Sequence, residues 1–317
     1  LAGIARNPNA GGVLILSLGC ENNHLEVFKP YLEPFDHNRM KYLVAQDVED
    51  EFAAGMRLLE ELCARIEKDK RERLPVSALT VGFKCGGSDA FSGITANALC
   101  GRVNDALCGE GARTLLTEVP EMFGAETILM NRAKSEDVFH EIVHLIDEFK
   151  DYYSRYGQPI YENPSPGNKK GGISTLEEKS LGCIQKGGQA VVNGVIGYGQ
   201  RAIHQGLNIL AGPGNDQVSC TNLVASGAGL ILFTTGRGNP LGAPVPTLKI
   251  ASNSRLAEKK ANWIDFDSGR IISGATYEEE TVKLLDMIMD IASGRKSARN
   301  EVNGYREISI FRDGVIL

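Results

Sequence analysis

Apolar and polar positions come in blocks along this chain rather than alternating residue by residue. Residues 12–18, GVLILSL, are an unbroken apolar run that stops at Gly19-Cys20-Glu21-Asn22-Asn23. Such a run predicts a strand buried on both faces, as in a parallel sheet. Strands are also expected at 41–45, 79–83, 114–117, 207–211, 230–234 and 247–251. Between these runs the apolar residues take helical spacing. Over 48–68, Phe52, Met56, Leu59, Leu62 and Ile66 share one face. Helices are also expected over 24–31, 96–107, 136–155, 219–226 and 277–293. Thr175 and Glu178 suggest a capping box at a helix start over 175–180. Residues 158–172, QPIYENPSPGNKKGG, are expected to be loop, neither helix nor central strand. Residues 69–73 read as a charged surface connection, and 306–311 as an edge strand.

Strand, polar loop and helix recur in that order. The pattern predicts an α/β fold with mainly parallel sheets, flanking helices and Rossmann-like lobes. The expected division is a first lobe over 1–157, a connection or active-site loop over 158–174, and a second lobe over 175–317. Ligands of such sheets bind at the carboxyl ends of the strands. Here those ends carry Cys20-Glu21-Asn22 and residues 85–89, 118–121, 213–216 and 235–239.

The densest of these ends is GFKCGGSDAFSGITAN, residues 82–97. Gly86 and Gly87 lack a Cβ and let backbone approach a ligand. Ser88, Asp89 or Ser92 can cap the helix that follows, whose free N–H groups favour an anion. A capped turn is the plainer reading of that motif alone. The repetition of the design elsewhere points instead to a shared site. Asn215 sits in a Gly-Pro-Gly-Asn-Asp turn able to hold an anion through backbone amides. Arg237, between two glycines, suits bidentate recognition of a carboxylate or pairing with a structural one.

Composition narrows the classes. Of 317 residues 23% are charged and 42% apolar, with a formal net charge of −6, which is ordinary globular usage. No basic block marks nucleic acid as a partner. The apolar runs are too short to span a bilayer, and no signal peptide is visible. A cytoplasmic homo-oligomer acting on a small molecule is expected. Leu1 is not an initiator methionine, so a fragment is expected. The seven cysteines form no CxxC pair, and thiols, metal ligands or core residues fit them better than disulfides. Cys63 and Cys108 are assigned to packing. Cys20, Cys85 and Cys183 lie beside glycine in polar loops shared with Glu21, Asp89, Glu118 and Glu121. Mixed thiolate and carboxylate donors can hold iron as a Lewis acid; cysteines that merely pack are the simpler reading of the spacing alone. His140 and His144 face the same way on one helix but lack a third ligand. There is no GxGxxG, GxxxxGK[ST] or GxSxG motif, which argues against dinucleotide, nucleoside-triphosphate and serine-hydrolase chemistry.

Several long motifs carry a resemblance: residues 7–23 and 82–97, TEVPEMFGAE at 117–126, residues 159–188, GPGNDQVSC at 212–220, residues 232–254 and WIDFDSGRII at 263–272. Together they resemble the altronate/galactarate dehydratase family from about Asn7 onward. The SLGCIQK form at 180–186 resembles the altronate branch. The resemblance implies a hydro-lyase converting a sugar acid, D-altronate first, into a 2-keto-3-deoxy acid in hexuronate breakdown. It implies Fe2+, with Mn2+ or an iron–sulfur cluster as alternatives. It also implies an upstream β-rich domain, and a segment supplying a further cysteine and histidine, which this sequence does not include. Asn97-Ala98 stands where the family has Asn-Pro, which is expected to alter helix entry more than chemistry.

Dehydration removes the C2 proton, expels the C3 hydroxyl and stabilises charge on the carboxylate. Lys186 or His24 is expected to be the base, since surroundings can tune such side chains toward neutral pH, with the upstream histidine as the alternative. Glu118 or Glu121 serves as acid or metal ligand, with Cys20, Cys85 and Cys183 as metal ligands. Arg237 and the amides near Gly86 and Gly87 hold the carboxylate, and Ser88, Asp89, Ser92 and Asn97 read hydroxyls. The alternatives are a galactarate or sulfo-acid lyase of the same family, or a non-catalytic sugar-acid binding module.

Overall fold

Strands that are apolar on both faces must be covered on both faces, and the larger part of this chain is built that way. The structure is a computed structural model and describes residues 1–34, 36 and 38–314. It falls into two compact units, Leu1–Arg73 with the chain from Phe311 onward, and Leu74–Ile310.

In the smaller unit β1 (Val13–Ser17) pairs in parallel with β2 (Met40–Val44). Helix α1 (Glu51–Ile66) starts at Asp50, whose carboxylate accepts from Ala53 N at 2.9 Å. Its Leu62 is buried, while Phe52, Met56 and Leu59 remain exposed. Two strands are too narrow to cover the whole apolar stripe.

In the larger unit seven parallel strands form one sheet: β3 (Thr80–Cys85), β4 (Arg113–Leu116), β5 (Val192–Ile196), β6 (Gly206–Leu210), β7 (Leu230–Thr235), β8 (Thr247–Ala251) and β9 (Phe266–Asp267). Their order is β5-β6-β4-β3-β7-β8-β9. The main helices are α2 (Ala96–Gly109), α3 (Glu136–Arg155), α4 (Leu176–Ile184), α5 (Asp216–Ala225) and α6 (Tyr277–Ala292). Side chains of β7 alternate between two cores. Leu230 and Leu232 join Val103, Leu107, Leu284 and Ile288. Ile231 and Phe233 join Cys220, Leu223 and Val224. From β3 the chain steps to β4 on one side and later returns to β7 on the other. That reversal is a topological switch, and the crevice at its carboxyl ends is where such sheets bind ligands.

Three expectations meet a different structure. The division at 158–174 is not seen: strands before and after it share one sheet, and the two units part at the charged run near Arg73. The 158–172 stretch contains a helix, Pro166–Lys170. Proline is tolerated there because it occupies the first turn, where an N–H has no intrahelical partner. Ser165 and Asn168 close a capping box around it. Residues 306–311 form no strand; Glu307 N donates to Gly242 O at 2.8 Å and Ser309 N to Thr221 Oγ1 at 3.0 Å. Among the described residues no helix is long and apolar enough to cross a membrane.

Candidate active site

The switch brings the ends of β3 and β4 together with α4. Strand β3 ends in Lys84-Cys85, both buried. Lys84 Nζ contacts Glu118 Oε1 and lies 2.8 Å from Asp216 Oδ1. Glu118 follows β4 and is, among the described residues, the non-glycine residue with positive φ, at 72°. This uncommon left-handed conformation is matched by a well-bonded carboxylate. Its Oε2 accepts from Cys85 N at 2.9 Å and lies 3.6 Å from Lys186 Nζ.

The next turn carries Glu121. Its Oε2 is 2.9 Å from Cys85 Sγ, 2.9 Å from Cys183 Sγ and 2.7 Å from Lys179 Nζ. Cys183 and Lys179 are one helical turn apart on α4 and share a face, with Nζ 2.8 Å from Cys183 Sγ. Thr175 caps that helix by accepting from Glu178 N at 3.1 Å. The expected box does not close, because Glu178 turns to Ser174 N at 2.8 Å instead. The two thiols are free and 3.4 Å apart. Cys85 Sγ, Glu121 and Cys183 Sγ present donor atoms within 4.8 Å of one another, a group able to hold a metal ion.

Buried charges persist only when paired. Here three buried lysines face two glutamates and two thiols. The hydrogen bond from Cys183 lowers the Cys85 pKa far below its usual value, against burial and with help from Lys179, Lys186 and Lys84. Burial, and then the hydrogen bond to Cys85, push Cys183 well up. Within the pair ionisation is favoured at Cys85 and opposed at Cys183. Burial, Cys85 and Glu121 push Glu118 up to about 8, against the pull of Lys84 and Lys186. Burial pulls on the lysines, but the surrounding negative groups outweigh it and raise Lys84, Lys179 and Lys186. Lys186 therefore holds its proton and is a poor base in this arrangement.

Beside this cluster lies a cavity of about 500 Å³, lined by Ser88, Ser92, Asn97, Thr175, Lys179 and Cys183 among others. That volume suits a small molecule. Ser88 Oγ is buried without a partner, an arrangement that leaves a hydroxyl for a ligand. Its neighbours are committed. Asp89 accepts from Ser92 Oγ at 2.9 Å, Ser252 Oγ at 2.7 Å and Asn253 Nδ2 at 2.9 Å. Asn97 accepts from Thr234 Oγ1 at 2.6 Å and donates to Gly182 O at 2.9 Å. These two hold the loop rather than stand free for a substrate.

The glycines also serve the protein itself. A Cβ on Gly86 would meet Asp216 Oδ2 and the Phe233 ring, each at 2.6 Å. Gly87 has φ +66°, and its carbonyl accepts from Gly236 N at 3.0 Å and Arg237 N at 2.9 Å. This pins β3 to β7 across the switch.

The remaining expected site residues are placed as follows. The Arg237 side chain is exposed and has no ion-pair partner among the described residues. Asn215 caps α5, accepting from Val218 N at 3.1 Å. Cys20 and His24 belong to the smaller unit; Cys20 is exposed and accepts from Gln46 Nε2 at 3.4 Å. His24 precedes the short helix Leu25–Phe28 without a capping bond from its side chain. His140 and His144 lie on the exposed face of α3 beside Glu136 and Glu148.

Two members of the cluster were not singled out from the sequence. Lys84 is a charge inside an apolar strand, a signal in itself, because a lysine buried on both sides needs a partner. Lys179 lies four residues before Cys183 in a helix whose start was legible.

The chain matches two family models. Residues 76–316 match "D-galactarate/Altronate dehydratase, C-terminal", and residues 1–67 match "D-galactarate dehydratase/Altronate hydrolase, second domain". It is 52% identical to altronate dehydratase of Bacillus subtilis over 98% of this chain and 63% of that protein. It is 48% identical to altronate dehydratase of Escherichia coli over 100% of this chain and 64% of that protein. Galactarate dehydratase (L-threo-forming) of Escherichia coli is 35% identical over 97% of this chain and 61% of that protein. The chain thus spans somewhat under two thirds of the length of the relatives it matches.

Proposed function

The chain belongs to the D-galactarate/altronate dehydratase family, and on that premise we propose that it carries the catalytic site of a sugar-acid hydro-lyase. The substrate proposed is D-altronate, and the product 2-keto-3-deoxy-D-gluconate. A cytoplasmic place in hexuronate breakdown is part of the same proposal. The observation that carries it is the Cys85/Glu121/Cys183 group opening beside a cavity with an uncommitted serine hydroxyl.

Two thiols and one carboxylate are soft and mixed donors. They suit ferrous iron better than manganese, which favours oxygen ligands. Cys85, Glu121 and Cys183 would hold the iron, which when bound supplies Lewis acidity toward the substrate's oxygens. The chain's own residues do the rest. Ser88 Oγ, unpaired in the cavity, bonds a substrate hydroxyl or carboxylate oxygen. Lys186 and Lys84 keep positive charge beside Glu118 and favour negative charge developing nearby. Glu118, with its pKa about 8, is mostly protonated at neutral pH and suits the proton donor to the departing C3 hydroxyl.

The test is a product assay on iron-loaded protein with D-altronate and, separately, galactarate. A 2-keto-3-deoxy acid formed faster from altronate is expected. Turnover of galactarate alone would move the chain to the other branch of the family. Tight binding of altronate without product would leave only a binding module.

A further inference from the structure

Lys179 stands among the donor atoms rather than beside them. Its ammonium is 2.7 Å from Glu121 Oε2, 2.8 Å from Cys183 Sγ and 3.7 Å from Cys85 Sγ. Those three donors lie within 4.8 Å of one another. An ammonium so placed takes the point that a divalent cation held by the same atoms would need. Two cations do not share such a point, because their repulsion is strong where water is excluded.

Of the three buried lysines, Lys179 is the one that lines the large cavity. Lys84 is tied to Glu118 and Asp216, and Lys186 faces Glu118. Lys179 sits on α4 with Thr175 and Glu178 nearby on the cavity wall, and its flexible four-carbon stem gives the ammonium a second place to go.

We infer that Lys179 is a two-position residue: its ammonium fills the Cys85/Glu121/Cys183 group when metal is absent, and metal binding drives it into the cavity. There it adds a positive charge to a cavity that takes a carboxylate-bearing substrate. Metal and sugar acid then bind with positive coupling, since each favours the same position of the ammonium. The inference rests on the metal reading of that group.

The test is anaerobic titration of the metal-free protein with Co2+, followed by thiolate-to-cobalt charge-transfer absorption. Lys179→Met is expected to bind Co2+ at least about tenfold more tightly than the unsubstituted protein. Lys179→Gln is expected to shift the same way, and Lys179→Arg is not. Equal or weaker binding by Lys179→Met and Lys179→Gln overturns the inference. A second measurement needs no variant: acylation of Lys179 by an amine-reactive ester, read by mass spectrometry, rises on Co2+ addition. Unchanged labelling overturns the inference even if the variants do not fold. Cys183→Ser separates the two claims. Loss of the charge-transfer band in that variant upholds the metal reading and leaves only the role of Lys179 at stake. A band that persists there, or is absent from the unsubstituted protein, defeats the metal reading and the inference with it.

Discussion

Ser88 and Lys249 show what single buried polar groups do in this molecule. The Ser88 hydroxyl has no partner, so removing it breaks no internal bond. Ser88→Ala is therefore expected to leave the melting temperature nearly unchanged and to raise KM for altronate about tenfold, the worth of one hydrogen bond to substrate. Unchanged kinetics would take Ser88 out of the site. Lys84 is the opposite case. Lys84→Met leaves Asp216 without its cation and Glu118 without a contact and is expected to destabilise by about 3 kcal/mol in denaturant titration. A neutral outcome would mean that the Lys84–Asp216 pair adds nothing to stability. Lys249 sits over the Phe233 ring at 4.6 Å and donates to Leu241 O, with no carboxylate at ion-pair distance among the described residues. Burial lowers its pKa to about 8, against 10.5 for the unburied group. Below about pH 8 both folded and unfolded chains hold this proton, and the folded one bears the full penalty of burying the charge. Between about 8 and 10.5 the unfolded chain holds more protons, so this lysine makes stability rise with pH. Lys249→Met should be more stable than the unsubstituted protein at pH 7, with the gap narrowing toward pH 10. A gap that widens with pH would contradict the assignment.

Elements were legible where one physical signal governed them. The mainly apolar runs at 79–83, 207–211, 230–234 and 247–251 coincide with strands of the covered sheet, whereas the run at 12–18 forms a strand in a two-stranded sheet with Leu16 exposed, so it is not buried on both faces as expected. Strand β5, Val-Asn-Gly-Val-Ile, was missed: it has a register shift between Val192 and Gly194, and its polar residues hide the run. Strand β9 is two residues long, too short to carry a pattern. Residues 306–311 looked like an edge strand, yet their backbone bonds go to Gly242 O and Thr221 Oγ1 rather than to a strand. Ile308 and Ile310 are accordingly half exposed. Caps were less readable: the box expected at Thr175 does not close, none of Ser88, Asp89 and Ser92 caps α2, and the box on α6 was not singled out from the sequence. Thr276 and Glu279 close a capping box on α6, and Thr276→Ala is expected to cost about 1 kcal/mol by thermal or chemical unfolding. A change below a few tenths would show that packing of Leu284 and Ile288 alone sets that helix.

At the scale of the whole molecule, the site exists because the order β4-β3-β7 sets strand ends side by side. The sequence showed polar clusters at those ends, and Cys85, Cys183, Glu118, Glu121 and Lys186 do converge. It did not show which polar residues are consumed by the loops. Asp89, Asn97 and Asn215 looked like ligand contacts, but each satisfies backbone or side-chain groups of its own neighbourhood. Only distances distinguish a spent hydrogen-bonding group from a free one. The division into units was misplaced for a related reason. A Pro/Gly-rich stretch looks like a linker, whereas sheet pairing across it decides the matter. The exposed run 69–73 is expected to be the first site of limited trypsin cleavage; early cleavage at Lys169 or Lys170 would argue for the other boundary.

If Cys85, Glu121 and Cys183 form one iron site, removing one thiol empties it. Iron content is read by elemental analysis after anaerobic loading and desalting, for the unsubstituted protein and Cys183→Ser. About one ferrous ion per chain is expected in the first and near none in the second, because a mixed thiolate site that loses a thiolate loses most of its affinity. Full iron occupancy in Cys183→Ser would refute the shared site.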